Sequence, residues 1–293
     1  MQPVVIQLPT AEAIPLVCDS PHSGTHYPDD FGHAIERAAL RRSEDTHVDV
    51  LWGEVPAAGG TLVCATFPRS YIDPNRHEQD LDVSMIEGRW PRQVGPVSRA
   101  SELGMSLVWR KTPEHRDIYA RKLSVAEVQQ RTDRYFRPYR EAVNTCIAQA
   151  ARRHGRCWHL NLHSMPSNVY ERLGLPARPA ADIVLGDRRG TTCDASFTQL
   201  VRQAFETEGL SVAINDPYEG AELVRVHGEP AQGRHSLQIE INRGVYMNEA
   251  TREPNDGFGA LKRAIDSVLA KVAGYVAQQS SLPFAHAASE SAP

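Results

Sequence analysis

Pro15-Leu16-Val17-Cys18-Asp19-Ser20-Pro21-His22-Ser23-Gly24 is where the fold of this 293-residue chain is first legible. Pro15 to Cys18 reads as a short strand, and Ser20 to Gly24 reads as a tight turn leaving it, one that would hold the His22 imidazole in place. Alone, that histidine is compatible with an ordinary polar turn. The pattern around it recurs along the chain. Thr61–Thr66 is entered through Gly59-Gly60, His159–Leu162 runs into His163, and Ile183–Leu185 precedes Gly186. Ser211–Ile214 precedes Asn215-Asp216-Pro217, and Ser236–Ile241 closes the series.

Helical periodicity fills the gaps. Arg41–Trp52 carries Val48, Leu51 and Trp52 at i, i+3, i+4 spacing. Val125–Ala151 carries the stripe Val125, Val128, Tyr135, Tyr139, Val143, Ile147 and Ala150, with Pro138 expected to kink or divide it. Ser196–Glu208 and Gly257–Val276 also read as helices. Strands alternating with helices predict an α/β fold, a single three-layer α/β/α domain over residues 1–276 with a mixed, largely parallel sheet. Residues 277–293, AQQSSLPFAHAASESAP, are rich in Ser, Ala and Pro and are expected to form a flexible or loosely docked tail.

Bulk properties exclude several functions. Hydrophobic residues make up 41% of the chain, enough for a large core, and charged residues 23%. A formal net charge of -4 gives no footprint for nucleic acid and no basic face for an anionic membrane. No apolar run approaches the roughly 18 residues that span a bilayer. The first residues lack the basic-then-apolar layout of a secretory signal. Five scattered cysteines without a Cys-x-x-Cys read as reduced buried thiols, so the expected compartment is the cytoplasm. Cys18, preceding the polar burst, is the one cysteine weighed as a nucleophile. The oligomeric state is not legible.

In open α/β sheets sites form beyond the carboxyl ends of strands. His22 and His163 both stand at such ends, and Glu44-Asp45-Thr46-His47 opens the Arg41–Trp52 helix between them. Two histidines and a carboxylate with room for water match the open three-ligand pattern of catalytic zinc. Asp45 reads equally as an N-terminal helix residue satisfying free amides, and His26, His33 and His47 compete for the middle place. Phe67-Pro68-Arg69-Ser70-Tyr71-Ile72-Asp73-Pro74-Asn75-Arg76 supplies two arginines and an asparagine, either a solvated loop or a carboxylate fork and oxyanion partner. Glu240 lies inside an apolar strand. Burial raises a carboxyl's pKa, as suits a general base; the alternative is a structural salt bridge with Arg243 or another arginine.

Pro21-His22-Ser23-Gly24, Asp45-Thr46-His47, Arg69 with Asp73-Pro74-Asn75-Arg76, Leu162-His163-Ser164, and Glu240 with Tyr246-Met247-Asn248-Glu249 together resemble the N-formylglutamate amidohydrolase (deformylase) family, in that order from about residue 15 to residue 250. The family is distantly similar to zinc carboxypeptidases and to the aspartoacylase and succinylglutamate desuccinylase group. The resemblance implies a phosphorylase/hydrolase-like fold, one zinc ion, and His22, Asp45 and His163 as its ligands. It implies Arg69 as carbonyl polariser, Glu240 as general base, and Asn75 and Arg76 as carboxylate anchors. Arg225, Arg243 and Tyr246 are further substrate-binding candidates. The implied reaction is hydrolysis of a small N-acyl acidic amino acid, N-formyl-L-glutamate above others, in amino-acid catabolism through histidine degradation. The sequence departs from these relatives twice. Thr25 replaces the glutamate of His-x-x-Glu, and Pro74 stands where leucine is usual, stiffening the loop that carries Asn75-Arg76. The long insert between Arg76 and Val125 reads as loop-rich and able to wall the pocket.

Overall fold

The computed structural model describes residues 2–281. Its strands are β1 (Val4–Gln7), β2 (Leu16–Ser20), β3 (Thr61–Ala65), β4 (Ile86–Glu87), β5 (Leu123–Ser124), β6 (Cys157–Met165), β7 (Ile183–Gly186), β8 (Val212–Ile214) and β9 (Arg234–Asn242). Seven of them form one sheet in the order β1-β3-β2-β6-β9-β7-β8, while β4 and β5 pair separately. Pairing is parallel except for β1 with β3 and β7 with β9. The sheet is therefore mixed and largely parallel, as expected.

Side chains on a strand alternate between faces with period two. Leu16 and Cys18 of β2, Trp158, Leu160 and Leu162 of β6, and Leu237, Ile239 and Ile241 of β9 enter one apolar core. That core is completed by helices α2 (Val48–Leu51), α7 (Ala195–Thr207) and α9 (Phe258–Ser280). The intervening residues face the other way. Asp19, His159, Asn161, His163, Ser236, Gln238 and Glu240 form a buried polar ladder there, with His159 opposite Ser236, Asn161 opposite Gln238 and His163 opposite Glu240. Around its flank Val17, Val63 and Ala65 pack with α4 (Val125–Arg131), α5 (Arg137–His154) and the insert. Three layers result, with the chemistry on one face of the middle one.

Several boundaries differ from expectation. β6 continues through Met165, so His163 stands within the strand rather than past it. The long helix is divided as Pro138 suggested: Thr132–Phe136 is a π-helical stretch, in which the Arg137 N–H reaches back to Thr132 O just before the proline that has no N–H to give. α9 runs to Ser280, so Ala277 to Ser280 are helix, not tail. Positions 282–293 of that tail lie outside the described residues. No helix among the described residues is long and apolar enough to cross a membrane. The insert carries short α3 (Arg99–Glu102) and much irregular chain, yet buries Leu81, Met85, Leu107, Val108, Ile118 and Leu123.

Candidate metal centre

The expected Arg41–Trp52 helix is two helices. α1 (Arg37–Arg41) stops, and α2 resumes at Val48 after His47 takes a left-handed φ of 70°. The break serves Asp45. Its backbone N–H donates to His22 O at 3.0 Å, tying this turn to the turn after β2. Asp45 does not cap a helix: the cap position is His47, and no side chain caps it. His47 donates from Nε2 to Arg252 O at 2.9 Å, His33 bonds Ile35 O, and His26 is exposed, so none of these three joins the cluster.

His22 Nδ1 and His163 Nδ1 lie 3.0 Å apart, and Asp45 Oδ2 lies 3.0 Å from His163 Nδ1 and 3.4 Å from His22 Nδ1. Each imidazole commits its other nitrogen elsewhere. His22 Nε2 donates to Asp73 Oδ1 at 2.7 Å, and His163 Nε2 lies 2.7 Å from Asn161 Oδ1 and 3.0 Å from Asn75 Nδ2. With protons on both Nε2 atoms, two ring lone pairs and a carboxylate oxygen would face one another. All three residues are buried, and their ligand atoms lie within 4.8 Å of one another, a set that could hold a metal ion. Two neutral imidazoles with one carboxylate match the donor types that zinc takes. Burial, helped by His22, lowers the His163 pKa to about 4, which keeps the ring in its ligating neutral form at pH 7. Burial would raise the Asp45 carboxyl, but His163, His22 and Arg243 hold it well below the usual carboxylate range. Asp73 is likewise held down against burial by Arg69, His22 and Arg76.

Beside the cluster is a cavity of about 300 Å³ lined by His22, His163, Arg69, Asn75, Arg76, Glu240 and Arg243 among others. Glu240 on β9 accepts from Gln238 Nε2 at 2.8 Å. Burial, then the Asp45 charge, push its pKa up to about 8, with Arg69 and Arg243 opposing in part. Among the described residues no ion pair consumes it, so the structural salt-bridge alternative with Arg243 does not hold: Arg243 Nη2 donates to Asp45 Oδ1 at 2.8 Å. Arg69 grips Asp73 Oδ2 through Nη2 at 3.0 Å and stacks over Trp109 at 5.0 Å. Pro74 sits inside an Asx turn, Asn75 N donating to Asp73 Oδ1 at 2.9 Å, and Asn75 and Arg76 both still reach the cavity.

Two expected substrate-binding residues are not brought there. Arg225, on α8 (Glu222–His227), is half exposed and paired with Glu222. It lines a neighbouring cavity. Tyr246 is fully buried, donates to Thr46 O at 2.9 Å and packs against Phe258, so it braces the Asp45 turn from the core. Cys18 is also core, its thiol pushed well up by burial. Four residues escaped the sequence reading. Asp73 was visible in Asp-Pro-Asn-Arg without a role, and Asn161 precedes His163 by the strand's period of two. Trp109 and Tyr218 come from irregular chain, where no periodicity marks them. Burial, then the Glu240 charge, push the Tyr218 phenol up to about 12.

Comparison with known proteins places this assembly among the amidohydrolases. The chain belongs to the N-formylglutamate amidohydrolase family, whose model matches residues 14–247. The N-formylglutamate deformylase of Pseudomonas putida is 24% identical over 242 residues, 80% of this chain and 83% of that protein. The deformylase of the same name from Pseudomonas aeruginosa is 26% identical over the same shares. The crystal structure of N-formylglutamate amidohydrolase from Ralstonia eutropha JMP134 is 51% identical with a TM-score of 0.93, covering 95% of this chain and 100% of that one.

Proposed function

We propose that this amidohydrolase is metal-dependent and cleaves the amide of an N-acyl acidic amino acid, with N-formyl-L-glutamate yielding formate and L-glutamate. The observation that carries the reading is the meeting of His22 Nδ1, His163 Nδ1 and Asp45 Oδ2 beside a cavity lined by Glu240, Arg69, Arg76 and Arg243 among others. The relatives' names support the substrate. Zinc held by those three atoms would supply Lewis acidity, lowering the pKa of a water towards ~7 and polarising the acyl carbonyl.

The chain's own residues do the rest. Glu240 takes the proton of the attacking water and passes it to the leaving amine as the C–N bond breaks. A bound cation beside it would offset part of the rise that burial and Asp45 impose on this carboxyl, leaving it able to accept a proton and return it. Arg69, fixed by Asp73 and Trp109, keeps a cationic fork against the developing oxyanion. Asn75, Arg76 and Arg243 anchor the substrate carboxylates, Arg76 as a bidentate fork. The described chain acts as one catalytic domain, in the cytoplasm.

The test is formate release from N-formyl-L-glutamate by the purified protein, measured as isolated, after chelation and after zinc is restored. Turnover lost with chelator and regained with zinc is the expected result. Metal-replete protein that releases no formate would remove formylglutamate and send the search to other N-acyl amino acids. Turnover indifferent to chelation, with the site verified empty, would sink metal dependence.

A further inference from the structure

His163 Nε2 meets two amides at once. Asn161 Oδ1 lies 2.7 Å away and Asn75 Nδ2 lies 3.0 Å away. Their demands are opposite. A proton on Nε2 suits the Asn161 oxygen, and a lone pair there suits the Asn75 amino group. On the other side of the ring Asp45 Oδ2, 3.0 Å from Nδ1, would take a proton there while no cation is bound. With that acceptor occupied or removed, the outcome depends on which amide can turn.

Asn161 cannot. Its Nδ2 donates to Asp19 Oδ1 at 2.7 Å. The Asp19 carboxylate also accepts from His159 Nε2 at 2.9 Å and, on Oδ2, from the Tyr139 hydroxyl at 2.6 Å. Burial would raise this carboxyl, but those bonds hold it below its ordinary range, so it stays ionised. An ionised carboxylate accepts only, and a carbonyl oxygen turned towards it would find no proton. Asn161 Oδ1 must therefore face His163. Asn75 loses little, because its Nδ2 also reaches Asn161 Oδ1 at 3.3 Å while its own oxygen takes the Leu223 N–H at 2.8 Å.

We propose that Asp19 and Asn161 are positioning residues that lock His163 in the tautomer protonated on Nε2, keeping its Nδ1 lone pair turned towards His22 and Asp45. The lock is built into the sheet, since Asp19 and Asn161 are cross-strand partners on β2 and β6. His22 is locked differently, directly by the Asp73 carboxylate. The significance for catalysis rests on the cation reading of the cluster. A ring held in this tautomer offers its lone pair without rearrangement, and partners of this kind typically carry 10–100-fold in metal affinity.

The experiment uses the full chain, stripped of metal and labelled with ¹⁵N-histidine, carrying Asp45→Ala so that no carboxylate competes at Nδ1, with His163 assigned by its loss in His163→Gln. Long-range ¹⁵N–¹H correlations then report which ring nitrogen bears the proton, and zinc affinity is read with Asp45 intact by competition with a chromogenic chelator. The Asp45→Ala parent is expected to show the proton on Nε2. Adding Asn161→Leu is expected to move it to Nδ1, Asn75 then donating to a bare Nε2, and the same substitution to weaken zinc by about 10–100-fold. Asp19→Ala should move both readouts the same way. Asp19→Asn, which keeps an acceptor oxygen, should restore both. A proton on Nδ1 in the parent overturns the lock, as does Asn161→Leu with both readouts unchanged. An Asp19→Ala protein indistinguishable from its parent removes Asp19 from it. Should Asn161→Leu fail to fold, the parent tautomer and the Asp19 pair decide. Wild type that binds no zinc rejects the cation reading alone, and the tautomer measurements still judge the lock.

Discussion

Glu240 carries the sharpest chemistry because two of its properties pull apart. Its folded pKa is about 8, while an unfolded glutamate titrates near ~4.3. At pH 4 and below both states hold the proton, so the group adds nothing to stability. As pH rises towards 8 the unfolded chain releases its proton and the fold retains it, so the metal-free protein loses stability through that window, by an amount on the order of a few kcal/mol. Glu240→Gln, neutral at every pH, should therefore leave metal-free stability unchanged near pH 4 and raise it at pH 8 in denaturant titrations. Equal midpoints for the two proteins at pH 8 would contradict the raised pKa. The same substitution should cost 10²–10⁴-fold in kcat with zinc still bound, measured by formate release and metal content. Turnover near wild type would take the base role from Glu240. His22, Arg69 and Arg243 follow β2, β3 and β9, whereas His163 and Glu240 lie within β6 and β9. With Asn75 and Arg76 they line one cavity because neighbouring parallel strands bring their carboxyl ends together. Arg225 failed for a reason readable in advance, since Glu222 stands three residues earlier on the same helix and satisfies it.

Elements were harder to read where a turn does the positioning. The apolar spacing of Val48, Leu51 and Trp52 marks α2 correctly but says nothing about where helix begins upstream. The break that frees Asp45 depends on a bond from its N–H to His22 O across the molecule, and no local pattern encodes a long-range bond. β1 was missed because a four-residue edge strand with mostly exposed side chains has no core face to advertise. The turn after β2 is tighter than its sequence suggests. A Cβ on Gly24 would stand 2.4 Å from Phe67 O and 2.5 Å from Phe67 N, backbone atoms that cannot swing aside. Gly24→Ala should push the β2 and β3 exits apart, displacing His22 from Asp73. The expected result is a thermal midpoint several degrees lower and zinc binding weakened by tenfold or more. A Gly24→Ala protein with wild-type zinc affinity would show that this contact does not set the position of His22.

Across the molecule, the three inward-facing ligand atoms come from three distant parts of the chain, residues 22, 45 and 163, so folding must be complete before they meet. An ion that binds only the assembled state stabilises it by mass action, about 2.7 kcal/mol at a free concentration 100 times Kd. Zinc added to the stripped protein should raise its thermal midpoint, and His22→Ala should abolish the increment. A zinc-induced rise that survives His22→Ala would place the ion somewhere else. The layered architecture was legible from alternation of strands and helices. The insert's loop-rich character and its place at the cavity wall were legible too, but its packing was not, since its buried Leu107, Val108 and Trp109 lie on irregular backbone where neither period of two nor of 3.6 applies.

That insert is sewn to the chemistry by its backbone. Asp73 N–H donates to Leu107 O at 2.7 Å, Leu107 N–H donates to Asp80 O at 2.7 Å, and Arg76 Nε donates to Met105 O at 3.1 Å. The wall of the cavity and the loop that grips His22 and Arg69 are consequently one mechanical part. Modularity ends there. An insert transplanted from a relative to change substrate preference would have to travel with residues 73–80, and any sequence drift in the wall is felt at Arg69, through Asp73, and at Arg76.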